Sequence, residues 1–135
     1  MDKIRQAMDA VVAAANRRDV TGAGDYLAED FDYENLAMPQ FRGREGFNDI
    51  HAALFKGFPD LHYQLVNSVL SGSDLVTEYI VTGTQGGEFL GIPATGKSIN
   101  VPLCFITQHD NAGRITRWKT YMDAATVLRQ LGAMQ

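Results

Sequence analysis

At Phe58-Pro59-Asp60 the hydrophobic pattern of this chain changes period, from a spacing that suits helices to one that suits strands. Few architectures accept that order. Upstream, Ile4, Met8, Val11, Val12 and Ala15 fall on one stripe of an amphipathic helix over 2–18. Asp19 can cap a short second helix to about residue 27, and Ala28-Glu29-Asp30 then breaks the chain into an extended segment over 31–36. Pro39 and Gly43 punctuate the next stretch. Residues 44–56 read as a third helix with Phe47, Ile50, Ala53 and Leu54 on one face.

Downstream, Leu61, Tyr63, Leu65, Asn67 and Val69 alternate with His62, Gln64, Val66, Ser68 and Leu70, which is the period of a long strand. Ser71-Gly72-Ser73-Asp74 turns the chain into a second strand ending near residue 85. A glycine pair, Gly86-Gly87, and a loop over 91–96 precede a third strand over 97–108. Asp110-Asn111-Ala112-Gly113 makes a hairpin into a fourth strand over 114–121, and Asp123 starts a closing helix that Gly132 stops. Helices followed by an antiparallel meander predict an α+β fold in which three to four helices cover one face of a curved sheet. Long twisted strands curl, and the cone they leave, lined by apolar side chains, is the default site. At 135 residues, with no repeat or low-complexity tract, the chain reads as a single domain over 1–135.

Charge and composition exclude several partners. The formal net charge is −4, and the twelve Lys and Arg residues are scattered, so no nucleic acid partner is expected. No apolar run reaches the roughly 18 residues that cross a bilayer, so no membrane partner is expected. The first residues enter a polar helical pattern with no leader signature, and the expected localisation is cytoplasmic. Cys104 is the single cysteine and sits in an apolar strand, where a buried inert thiol is expected. The three histidines lack H-x-H or H-x-x-x-H spacing, so no metal site is expected. The glycine runs match neither a phosphate loop nor a dinucleotide fingerprint, and no cofactor is expected.

The run from Gly86 through Glu88, Phe89, Gly91, Ile92, Pro93 and Thr95 to Lys97 resembles the SnoaL-like polyketide cyclase (ester cyclase) family of the NTF2-like superfamily. So do the Gly113-Arg114-Ile115 hairpin leading to Trp118 and the ending Asp123-Ala124-Ala125 to Leu131-Gly132. Phe58-Pro59-Asp60-Leu61 and Arg42-Gly43-Arg44-Glu45 fit the same family, so the similarity spans nearly the whole chain. The resemblance implies a cone-shaped barrel working without metal or cofactor, as a homodimer or homotetramer. It also implies ring closure by aldol chemistry, an aspartate of the last strand removing a proton next to a carbonyl. Counted back without gaps from the Arg129-to-Gly132 ending, that aspartate position holds Thr120. The position of a histidine in the preceding strand falls on or beside Phe105. A threonine hydroxyl has no accessible ionisation near neutral pH, so another carboxylate must serve as base or the protein binds a ligand without that chemistry.

Strand parity nominates the alternatives. Thr116, Trp118 and Thr120 share one face of the last strand, and Trp118 is either a cavity wall or a core aromatic whose indole N–H meets a carbonyl. Tyr33 and Asn35 are expected inward and Asp32 and Glu34 outward, because a phenol and an amide cost less to bury than two carboxylates. Glu78 becomes a general base if it points into the cone, or a cross-strand partner or exposed residue if it does not. His51 is either a pocket group suited to proton shuttling or a solvent-edge residue. His62 and His109 are expected to be exposed, and Asp123 to be a helix cap.

The expected function is a cofactor-independent enzyme, a cyclase, isomerase or dehydratase acting on a small hydrophobic oxygenated molecule. Glu78, Tyr33 and His51 form the candidate catalytic set. Asn35, Ile50, Leu54, Phe105, Trp118 and Thr120 form the candidate pocket. The competing reading is a non-catalytic small-molecule-binding or assembly module. Epoxide hydrolysis is a third, for which the sequence offers no Asp-Arg-Asp arrangement. A dimer face is expected if Tyr79 and Val81 point outward.

Overall fold

Helix α1 (Lys3–Asn16) buries Ala7, Met8, Val11, Val12, Ala14 and Ala15, the stripe its sequence presents. The computed structural model describes residues 3–133, and Asp2, the expected start of this helix, lies outside them. The side chain of Asn16 ends the helix by acting as a piece of strand. Its Nδ2 donates to the Tyr63 carbonyl at 3.1 Å, and its Oδ1 accepts from the Tyr63 amide at 2.8 Å. The short second helix is a 3-10 segment, Val20–Tyr26. Asp19 precedes it without capping it, because its carboxylate accepts from the Thr21 hydroxyl instead.

Strand β1 (Leu27–Asn35) starts earlier than expected, since the 28–30 break is an irregularity of register inside the strand. Helix α2 (Gly43–Gly57) follows. Its entry requires glycine at residue 46, where a Cβ would lie 2.5 Å from the Phe41 carbonyl carbon. Then come β2 (His62–Ser71), β3 (Asp74–Thr84), β4 (Ser98–His109), β5 (Ile115–Met122) and the closing helix α3 (Ala124–Gln130). Asp123 caps α3 as expected, accepting from the Ala125 amide at 3.0 Å and the Thr126 hydroxyl at 2.9 Å.

The five strands form one sheet in the order β1-β5-β4-β3-β2, with β2 to β5 an antiparallel meander. Strand β1 joins its far edge parallel to β5. That pairing needs a long crossover, here α2 and three strands, and alternation of side chains carries no trace of it.

Several faces differ from the sequence expectation. On β3 the inward set is Leu75, Thr77, Tyr79 and Val81, so Glu78 is exposed on the outer face. The physical reason is parity: the set containing Leu75, Tyr79 and Val81 has more apolar area to bury, and a strand cannot turn both sets inward. Glu78 instead accepts from Asn67 Nδ2 of the neighbouring strand at 3.0 Å. It is therefore removed as a cavity base, and Tyr79 and Val81 are removed from any outer surface. On β5 a bulge opposite Gln108 and His109 adds one residue, so Ile115 and Trp118 both face inward and Thr116 is displaced from their face.

His109, expected at the surface, is buried between Thr107 and Gly113. Its Nδ1 donates to the Gly113 carbonyl at 2.8 Å, so Nε2 accepts from the Thr107 hydroxyl at 2.8 Å. Cys104 lies half-buried on the outer face, not in the core. Burial, with Glu78 adding to it, raises the thiol's pKa.

What holds α2 to the sheet is Phe47, which is wholly buried. Its ring meets those of Phe31, Tyr33 and Trp118 at 5.4, 5.5 and 5.2 Å between centroids, each near edge-to-face. Phe47→Ala should lower the unfolding free energy by about 3–5 kcal/mol, read from urea denaturation curves. A loss below about 1 kcal/mol would show that this contact does not fasten the helix.

Candidate functional site

Helices α2 and α3, the inner sheet face and the loop over 86–97 enclose a cavity of about 210 Å³. Eight of the nine site residues proposed from sequence line it: Tyr33 and Asn35 from β1, Ile50, His51 and Leu54 from α2, Phe105 from β4, and Trp118 and Thr120 from β5. Glu78 does not. Among the described residues no Asp, Glu, Lys or Arg side chain lines the cavity, so the polarity they give it comes from uncharged groups.

Four of those groups form one polar wall. The Trp118 indole N–H donates to the Thr120 hydroxyl at 3.2 Å, where the core-aromatic reading of this residue expects a carbonyl acceptor. Thr120 in turn donates to the Tyr33 hydroxyl at 3.4 Å, and Asn35 Nδ2 donates to the same oxygen at 3.2 Å. Strand parity and the parallel pairing place these residues together, since Tyr33 stands opposite Trp118 and Asn35 opposite Thr120. Asn35 has a second task. Its Oδ1 accepts from the amides of Ala37 and Met38 at 3.0 and 2.9 Å, fixing the bend after β1 that sets Met38 in the cavity wall. Burial raises the pKa of Tyr33, with bonds from Thr120 and Asn35 acting against it, so the phenol stays protonated at neutral pH.

His51 enters from α2, and it is 5% exposed rather than at the solvent edge. Its Nδ1 lies 2.7 Å from the Phe47 carbonyl one helical turn back, and a carbonyl can only accept. The neutral ring therefore carries its proton on Nδ1. Its Nε2 lone pair has no partner among the described residues. Burial lowers its pKa to about 4, against a smaller upward effect of the Phe47 bond.

Sequence reasoning missed two contributors. Tyr63 of β2 lines the cavity, and its hydroxyl has no hydrogen-bond partner among the described residues. Burial raises its pKa strongly, with Tyr33 and Tyr79 adding to the effect. Gln85 is fully enclosed and ties down the loop that closes the cavity. Its Nε2 donates to the Ile92 carbonyl at 3.0 Å, and its Oε1 accepts from the Thr95 amide and hydroxyl at 3.2 and 2.7 Å. The loop tip, Leu90-Gly91, has φ of +48° and +85°, and Phe89, Leu90 and Ile92 all line the cavity. The parity of β3 extends through Gly83 to Gln85, so continuing the alternation past the strand end would have found it.

Among the described residues, no three His, Cys, Asp or Glu side chains come together as a metal-holding group. No helix among them is long and apolar enough to cross a membrane.

The sequence model of the SnoaL-like polyketide cyclases matches residues 4–131 of this chain. No curated protein matches it. Among solved structures, TsrD from Streptomyces laurentii is similar at 30% identity with a TM-score of 0.84, over 98% of this chain and 96% of its own. A proposed SnoaL-like polyketide cyclase from Jannaschia sp. CCS1 superposes with a TM-score of 0.86 at 20% identity, over 98% and 94%. IdmH, a proposed polyketide cyclase from Streptomyces antibioticus, superposes at 0.82 with 24% identity, over 95% and 97%. The last two likenesses are of fold.

The buried state of His51 predicts a pH dependence of stability. The unfolded ring takes its proton near pH 6.5 and the folded ring only near 4, so stability is complete above 6.5 and falls as pH drops toward 4. A gap of about 2.5 pH units at about 1.4 kcal/mol each amounts to about 3 kcal/mol. Unfolding free energies at pH 7 and 4 should differ by that much more in the wild type than in His51→Gln, and equal slopes would contradict it. Gln85→Ala should cost about 1–3 kcal/mol and speed amide exchange over 88–96, as seen by hydrogen–deuterium exchange. Unchanged exchange there would remove Gln85 as the loop's anchor.

Proposed function

The chain belongs to the SnoaL-like polyketide cyclase family, and from that premise we propose that it is a cyclase-like enzyme transferring a proton next to a carbonyl in this cavity. The observation that carries the reading is His51, whose Nδ1 is bound to the Phe47 carbonyl so that Nε2 alone is left to accept a proton. It takes the role of base that the sequence offers to Glu78. In the proposed step the substrate C–H bond breaks, its proton moves to Nε2, and its electron pair moves to the carbonyl oxygen as an enolate. A hydroxyl proton of the Tyr33–Thr120 pair stabilises that oxygen. Burial is what lowers the pKa of His51. An enolate formed beside the ring attracts imidazolium in a low-dielectric space, which restores basicity at the moment it is needed.

No metal or cofactor takes part in this scheme. Whether the enolate closes a ring, shifts a double bond or expels water depends on the substrate.

One observation favours a second reading, a binding module without turnover. Thr120 stands where the family resemblance places an aspartate, and no carboxylate among the described residues lines the cavity. Deuterium exchange from solvent into 2-tetralone, followed by NMR, separates the two. An enzyme should accelerate exchange, lose about 10²- to 10⁴-fold of that rate in His51→Gln, and keep it in Glu78→Gln. Bound ligand with no acceleration supports the binding module.

A further inference from the structure

The hydrogen-bond accounting of the cavity wall says what its occupant must look like. Trp118 gives its only N–H proton to Thr120, and Thr120 and Tyr33 share one bond between their hydroxyls. Whichever way that bond runs, two hydroxyl protons serve one contact, and one proton is left over. Asn35 does not absorb it, since its Nδ2 donates to Tyr33 and its Oδ1 is taken by two backbone amides. The wall therefore offers a proton and asks for an acceptor. On α2, His51, also in the lining, has an Nε2 lone pair without a partner among the described residues, and it asks for a donor. Tyr63, able to give or take, does not change the balance.

Size narrows the class further. Sites for drug-sized ligands typically measure about 300–1,000 Å³. The cavity, at about 210 Å³, is smaller than that range. With no Lys, Arg, Asp or Glu among the described residues of the wall, an ionised ligand would be buried without a counter-charge, at heavy cost.

Resting on the reading that this cavity is the site, we infer that its ligand is an uncharged compound of one or two rings bearing a carbonyl oxygen for the Tyr33–Thr120 pair and an O–H or acidified C–H for His51. Larger fused-ring skeletons and carboxylates are disfavoured. The family assignment alone does not limit ring number or charge; the wall and the volume do.

Trp118, the single tryptophan, lines the cavity, so its fluorescence reports binding directly. The probe is 7-hydroxy-1-tetralone, compared with 7-methoxy-1-tetralone, which lacks the donor, and 5,6,7,8-tetrahydro-2-naphthol, which lacks the carbonyl. Two further probes are 6-hydroxy-2-naphthoate, an anion, and 2-hydroxy-9-fluorenone, which has three rings. The hydroxyketone should bind most tightly, and loss of either group should weaken binding about tenfold. The anion and the three-ring ketone should bind at least about 100-fold more weakly. The double variant Tyr33→Phe/Thr120→Val, which removes both hydroxyl protons, should erase the preference for the carbonyl, and His51→Phe the preference for the hydroxyl.

Equal binding of the three two-ring compounds overturns the donor–acceptor match and leaves the cavity as the site. Tight binding of the fluorenone overturns the size limit, and tight binding of the naphthoate overturns the charge limit. If none of the five perturbs Trp118, the cavity reading falls and takes this inference with it. Discrimination among the probes without deuterium exchange into 2-tetralone would remove only the enzymatic reading.

Discussion

The edge-to-face junction around Phe47 fixes the placement of most other parts of this molecule. One ring joins α2 to β1 through Phe31 and Tyr33 and to β5 through Trp118. The same residue's backbone carbonyl holds His51, and its ring lies 4.4 Å from the imidazole. The position of the helix over the sheet and the tautomer of the histidine thus share one residue. A core contact of this kind leaves little freedom, because close-packed aromatic edges fit in few arrangements.

The cavity that results is an uncharged polar site in apolar surroundings. Burial pushes Tyr33 up and His51 down, and both shifts favour the neutral form. A donor and an acceptor are presented without net charge. Such groups act weakly on each other but strongly on a ligand that supplies the missing partners, since an unpaired polar group in a dry site is costly until it is met. The Gln85-anchored loop completes the enclosure with Phe89, Leu90 and Ile92. Among the described residues, the acidic side chains stay outside the cavity, on helices, strands and turns.

Much of this was legible in the sequence. The change of period at Phe58-Pro59-Asp60 does separate helices from meander, and the apolar face of α2 does carry Ile50 and Leu54 to the cavity. Tyr33 and Asn35 face inward for the reason anticipated, the lower cost of burying a phenol and an amide. The failures have physical causes. Both faces of β3 carry apolar residues, so parity alone could not place Glu78, and the bulge in β5 shifts Thr116 by one position. His109 is buried because a backbone carbonyl satisfies its Nδ1 proton, and no side-chain pattern announces a backbone acceptor. The parallel pairing of β1 with β5, which brings Tyr33 opposite Trp118, is long-range and invisible to local periodicity.

The central claim is that His51 presents an unprotonated Nε2 to the cavity. Nitrogen-15 chemical shifts of its ring at pH 7, recorded with and without 7-hydroxy-1-tetralone, test this most directly. The account predicts a neutral ring protonated on Nδ1, with an Nε2 signal that moves when the ligand is added. A ring protonated on Nε2, or one that titrates near pH 6.5 and ignores the ligand, would contradict it.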